Sequence, residues 1–233
     1  MKNLDDLVLA LEDIFLARLI SVFVFGSKAN SNEHSLKSNV DLFIIVEKLR
    51  SEDLTKAYPK IQKWIALKNP RPIIMTKEEF LAMGDIYSIE YSDIKWNYQI
   101  VYGENLIDSI NVNYFDLRPQ CERELKNIIM KHRGFYLENG RSKSAIKAGI
   151  SPLARSLVVI FRAILRLKNI TPSVYKLDVV EQLSKVLNFD SVFFKKLFGQ
   201  KEGSYNLSSV EIFNFNEYLL IQLESILKQV SEI

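Results

Sequence analysis

The sequence predicts an α+β protein, a small mixed sheet with flanking helices followed by an all-helical bundle, and three observations carry that reading. Short runs of β-branched and aromatic residues recur as far as Ser92, with helical patterns between them. Beyond Asp116 the strand signal disappears and long segments of 3.6-residue period take over. The net charge also changes sign there: residues 1–115 hold 13 Lys and Arg against 16 Asp and Glu, whereas residues 116–233 hold 18 against 12. A first domain is therefore placed at 1–115 and a helical bundle domain at 116–233. With 233 residues and 48% hydrophobic content, the chain can bury two modest cores.

Each element has its own signal. Leu4, Leu7, Leu11, Ile14 and Phe15 recur at helical spacing with acids on the other face, so an amphipathic helix opens the chain. Ile20 to Phe25 reads as a buried strand ended by Gly26, and Val40 to Val46 as a second. Ser51-Glu52-Asp53 supplies an N-cap and first-turn acids for a helix to about Leu67, and Asn69-Pro70 ends it. Arg71 to Met75 is a third strand without an acid. Thr76-Lys77-Glu78-Glu79 forms a capping box for a short helix that Gly84 stops. Ile86 to Ser92 alternates bulky apolar and small polar residues and reads as a fourth strand, with Glu90 facing away from Tyr87, Ile89 and Tyr91. In the second half helices are expected over about 117–138, 152–168, 176–187, 191–198 and 208–230, punctuated by Asn139-Gly140, Asn169 to Pro172 and Gly199 to Gly203.

The chemistry concentrates between the first two strands. Gly26 lets the backbone approach a ligand closely, and Ser27 adds a hydroxyl and an N–H where oriented donors favour anions. Asp41 projects from the neighbouring strand toward the same spot, and a hard oxygen ligand beside phosphates is what magnesium requires. This layout resembles the DNA polymerase beta-like nucleotidyltransferases, whose signature is an apolar residue, Gly-Ser, a gap, then Asp-apolar-Asp. Here it reads Phe25-Gly26-Ser27, eleven residues, then Asn39-Val40-Asp41. The resemblance implies an NTP as substrate or ligand and Mg2+ as cofactor. It puts Gly26, Ser27 and Lys28 at the nucleotide, Asp41 and Asn39 on the metal, and Glu90 as third metal ligand or as base toward the acceptor hydroxyl. Asn39 stands where the family has an acid, and a neutral amide adds no charge to hold two cations together. Asp93 to Asn105 is similar to the close of the domain in bacterial relatives. In the family a helical partner closes the acceptor side of the cleft.

Composition narrows the partners. Residues 118–168 carry 12 basic residues against 3 acidic ones, which points to an anionic ligand. Arg155, Arg162 and Arg166 share a helical face beside Leu157, Val158, Phe161 and Leu165; Arg162 and Arg166 are the expected phosphate contacts, and the same stripe reads equally as a solvated basic face. No aromatic-rich signature supports RNA. The lone Cys121 excludes an internal disulfide, and His34 and His132 are too far apart in sequence to suggest a His/Cys zinc site. Glu33 and His34 read as a solvated loop pair. The most apolar helix is interrupted by Arg162 and Arg166 and the N-terminus is too acidic for a signal peptide, so a cytoplasmic protein without a membrane span is expected.

Two functions stay open. One is transfer of an NMP group to a hydroxyl acceptor. The other is a catalytically impaired, nucleotide-sensing or partner-binding protein, regulatory or antitoxin-like. Some nucleotidyltransferase-fold proteins act with helical HEPN-type ribonucleases, but the interval from Arg123 to His132 is longer than the Arg-to-His spacing of those enzymes. The sequence names neither base nor acceptor, and it leaves room for a homo-oligomer.

Overall fold

The structure, a computed structural model, describes residues 4–26, 29, 40–199 and 208–233. The expectations for Ser27, Lys28, Glu33, His34 and Asn39 lie outside the described residues. The chain divides into two compact units, Met1–Asn113 and Tyr114–Ile233. The α+β class holds: a mixed four-stranded sheet with flanking helices comes first, and the second unit is helical.

In the first unit, α1 (Leu4–Phe15) leads into β1 (Leu19–Phe25), and β2 (Asp41–Val46), α2 (Ser51–Ala66), β3 (Ile73–Thr76), α3 (Lys77–Ala82), α4 (Ser88–Ile94) and β4 (Tyr98–Gly103) follow. The strand order is β3-β2-β1-β4; β1 runs antiparallel to both neighbours and β2 pairs in parallel with β3. Two-residue alternation gives the sheet two apolar faces. Val22, Val24, Leu42, Ile44 and Val46 pack with Leu7, Leu11 and Phe15 of α1 and Trp64 of α2, while Phe23, Phe43 and Ile45 pack on Phe80, Tyr91 and Ile94. Phe23 and Phe43 stack across the strands at 5.1 Å. The Thr76 capping box forms as expected, the Glu79 N–H donating to Thr76 Oγ1 and the Thr76 N–H to Glu79 Oε2.

Two expectations are corrected. Ile86 to Ser92 is not a strand. Its core is α4, in which Ser88, Ile89, Tyr91, Ser92 and Ile94 are buried and Glu90 is exposed, a helical pattern that imitates alternation over so short a stretch. The serines fit because their hydroxyls bond back to main-chain carbonyls, Ser88 to Gly84 and Ser92 to Ile89. The fourth strand is instead Tyr98–Gly103, closing the sheet beside β1. In the second unit, the helix expected to begin at Pro152 begins nine residues earlier, at Lys143, with Ser142 as N-cap.

The second unit comprises α5 (Tyr114–Asn139), α6 (Lys143–Leu167), α7 (Lys176–Ser184), α8 (Ser191–Gly199) and α9 (Ser209–Ser231). The apolar stripe of α6 runs through Pro152, since Ile146, Ile150, Leu157, Phe161 and Ile164 are all buried. By length and composition alone α6 is apolar enough to cross a membrane, contrary to expectation. Its Phe161 nevertheless packs among the rings of Phe189, Phe194 and Phe198, as a core helix does.

Candidate active site

β1 and β2 pair so that Phe25 lies opposite Asp41. The chain leaves β1 through Gly26 at φ +74°, a left-handed conformation that favours glycine. A Cβ built on Gly26 would meet a single neighbour, Asp41 Oδ2 at 3.4 Å. Among the described residues, then, the one group against that position is a carboxylate. The apolar runs on both strands fix this encounter, because the antiparallel register that buries Val24 and Leu42 brings the end of one strand to the start of the other.

The turn is held from beneath. The Gly26 N–H donates to the Asn97 carbonyl at 3.0 Å, and the Gly26 carbonyl accepts the Ala29 N–H at 3.1 Å. Asn69 fixes the other side: its Oδ1 accepts the buried Val40 N–H at 3.1 Å, its Nδ2 donates to the Trp64 carbonyl at 3.4 Å, and the Trp64 indole N–H donates to the Pro70 carbonyl at 3.0 Å. Asn69 was read from the sequence only as a helix stop. An Asn before a Pro is a sufficient signal for a turn, and nothing local tells that its amide reaches the residue preceding Asp41.

Asp41 is half-buried, and burial raises its carboxyl above the ordinary carboxylate value. Its charged form is therefore costly until a cation approaches. Among the described residues no group of three or more His, Cys, Asp or Glu is placed to hold a metal. Glu90 sits on the exposed side of α4, a helix, so the strand alternation that set it opposite Tyr87, Ile89 and Tyr91 does not apply. In the second unit Arg155 is exposed, Arg162 donates to the Val174 carbonyl at 2.8 Å, and Arg166 is only 5% exposed, so the three do not form one solvated stripe. Part of the basic zone is also neutralised: Arg118 and Lys126 pair with Glu122, and Arg133 pairs with Glu224. His132 is buried and stacks on Phe135.

Residues 4–96 match the family model described as a nucleotidyltransferase domain. The match supports nucleotidyl transfer in general. Among five solved chains that match is spectinomycin adenyltransferase from Enterococcus faecialis, crystallised with ATP and spectinomycin. It is 14% identical, with a TM-score of 0.55, over 95% of this chain and 100% of that one, so the likeness is one of fold and spans both units of the sequence. Among curated proteins none matches. The Gly26–Asp41 juncture lies inside the matched nucleotidyltransferase domain. By contrast, a cavity of about 270 Å³ lies wholly within the helical unit, against Ile150, Phe193, Phe215 and Tyr218. Its charged residues are already engaged, Asp190 by Tyr218 and the Phe193 N–H, and Lys196 by Glu211.

Proposed function

We propose that the protein binds a magnesium-complexed NTP at Gly26 and Asp41 and transfers its NMP group to a hydroxyl acceptor. The observation that carries this is the Asp41 carboxylate facing the open side of a left-handed glycine, inside a nucleotidyltransferase domain. The solved adenyltransferase with ATP and spectinomycin supports the nucleotide-plus-acceptor pattern. A cytoplasmic location, where NTPs are abundant, belongs to the same reading.

The donor set suits a magnesium ion that arrives on the nucleotide. Mg2+ is commonly held by one or two carboxylates together with substrate phosphates rather than by an all-protein cage, and Asp41 provides one such carboxylate. When bound, the ion supplies charge neutralisation at the phosphates. The chain's own residues position the reactants. Gly26 allows the phosphates close to the backbone, Ser27 and Lys28 follow it in sequence as hydroxyl and cationic contacts, and Asn39 offers a neutral amide oxygen two residues before Asp41. Glu90 is not part of this proposal. Because phosphoryl transfer depends on positioning and electrostatic stabilisation, replacing an anionic ligand by Asn39 slows transfer more than it weakens binding.

Titration calorimetry with each of the four ribonucleotides, with and without magnesium, tests binding; pyrophosphate release with hydroxyl acceptors tests transfer. Absence of binding at millimolar nucleotide, where the free energy is only about −4 kcal/mol, sinks the reading. Asn39→Asp is expected to speed any pyrophosphate release, and an active wild type that Asn39→Asp does not accelerate removes Asn39 from the metal. Asn39 itself favours a second reading, a nucleotide-sensing or partner-binding protein. Nucleotide binding without pyrophosphate release, even in Asn39→Asp, selects it.

A further inference from the structure

The chain has two tryptophans, and folding treats them oppositely. Trp64 is fully buried with its indole N–H satisfied, whereas Trp96 is 56% exposed. A single exposed aliphatic side chain is ordinary on a protein surface. Trp96 differs in the stiffness and the place of the backbone that carries it. It lies in the turn between α4 and β4, where the Lys95 N–H donates to the Tyr91 carbonyl at 3.1 Å and the Trp96 N–H to Asp93 at 3.2 Å. The Asn97 N–H donates to both Asp93 and Ile94, at 3.2 and 3.1 Å. The next bond belongs to the candidate site, since the Asn97 carbonyl accepts the Gly26 N–H at 3.0 Å, and Tyr98 pairs with Phe25. Trp96 is thus one residue from the group that anchors Gly26, about 4 Å along the chain. A nucleotide whose phosphates lie over Gly26 and Asp41 also needs a surface for its base.

We propose that the Trp96 indole is the platform on which the base of the bound nucleotide stacks, making it a specificity-determining residue of the site. This inference rests on the reading of Gly26 and Asp41 as the phosphate and metal end of that site. Stacking on an aromatic face tolerates every base. It favours those that cover more of the indole, so purine nucleotides bind more tightly than pyrimidine nucleotides here. The pinned turn means little backbone entropy is lost when the platform is used.

The test compares ATP with inorganic tripolyphosphate, each with magnesium, on the full chain. Tripolyphosphate carries the phosphate contacts and no base. Because Trp64 is buried, iodide quenching of tryptophan emission reports on Trp96. ATP is expected to shield Trp96 from iodide, and tripolyphosphate is not. Trp96→Ala is expected to weaken ATP about tenfold and leave tripolyphosphate unchanged, with Trp96→Phe in between. If Trp96→Ala folds poorly, Trp96→Phe and the quenching of the unaltered protein still decide. Binding of both ligands with Trp96 equally open to iodide throughout, or equal ATP affinity in Trp96→Ala, overturns the platform and leaves the phosphate site standing. Failure of both ligands to bind overturns the phosphate site and the platform together.

Discussion

The two ends of β1 use the same pair of residue types for opposite purposes. At its start, Gly103 of the neighbouring strand adopts φ +74° and an Asp, Asp53, is buried at 3% exposure. At its end, Gly26 adopts φ +74° and Asp41 is half-buried. The first pair is closed. A Cβ on Gly103 would come within 2.0 Å of the Ile20 carbonyl oxygen, and Asp53 is gripped by both terminal nitrogens of Arg18, at 2.6 and 2.8 Å, and by the Arg50 N–H at 3.0 Å. The second pair is open: among the described residues, the only neighbour a Cβ on Gly26 would meet is the Asp41 carboxylate. The carboxyl values follow. The Arg18 hydrogen bonds hold Asp53 at about 2, whereas desolvation raises Asp41. On the proposed reading, the structural acid is satisfied internally and Asp41 is left to be satisfied by a ligand.

The glycines break or sharpen this contrast most strongly. Gly103→Ala drives a methyl group into the main chain of β1 and adds left-handed strain, so urea unfolding should show a loss of about 3 kcal/mol or more, or an unfolded protein. Gly26→Ala carries the strain without the collision and should cost about 1 kcal/mol while weakening nucleotide binding. Equal costs at the two positions would erase the distinction.

The acids come next. Asp53→Asn should lower the melting temperature, since it strips the Arg18 guanidinium of its partner, and should leave nucleotide affinity alone. Asp41→Asn should do the reverse. It removes an uncompensated charge and so raises stability by about 1 kcal/mol, the usual scale when a functional residue is relieved, while abolishing the magnesium dependence of nucleotide binding. Calorimetry and thermal melts on the same samples read both, and an Asp41→Asn protein that binds Mg·ATP normally removes Asp41 from the site. Asn69→Ala stands between the classes: orphaning the buried Val40 N–H should cost about 2 kcal/mol, and loosening the start of β2 should weaken binding as well. Nucleotide affinity that is untouched by Asn69→Ala would mean that Asp41 does not depend on it for position.

Much of this was legible in the sequence because it is local. Ile20 to Phe25 and Val40 to Val46 are apolar runs that few structures other than buried strands accommodate, and Gly26 and Asp41 fall at their adjoining ends. What misled was short. Seven residues, Ile86 to Ser92, are too few to separate a period of 2 from one of 3.6, and the serines that argued for a strand are those that bond back to helix carbonyls. With the strand went the case for Glu90. Tyr98 to Gly103 was passed over because its residues are half-buried or exposed, so its pattern is weak at the sheet edge it occupies. Asn69 was illegible for another reason, its partner being 29 residues away. Pro152 misplaced a helix start because a proline is a strong local signal, and here the apolar stripe on either side outweighs it.

Acid titration reads the smallest difference between the two ends of β1. Asp53 has a folded value of about 2 against about 3.9 for an unfolded aspartate, so between these the unfolded chain binds more protons. Its stabilisation is full above about pH 4 and is lost as pH falls toward about 2. Glu211, held at about 2 by Lys196 in the helical unit, adds to the same acid limb. Asp41 has the opposite sign. Its folded value lies above the unfolded one, so the native state binds the extra proton, and stability declines as pH rises through the folded value. Asp41 therefore contributes a slight rise in stability on acidification from neutral pH, against the fall contributed by His132, whose burial holds its imidazole below the ordinary value. Asp41→Asn should remove the Asp41 contribution, so that the melting temperature falls more steeply on acidification from neutral pH than in the unaltered protein, and should keep the later fall. Magnesium nucleotide, which favours ionised Asp41, should reverse that contribution, so that the bound protein gains stability as pH rises. A pH dependence in this region that is the same in Asp41→Asn as in the unaltered protein would remove the charge asymmetry on which the contrast between Asp41 and Asp53 depends.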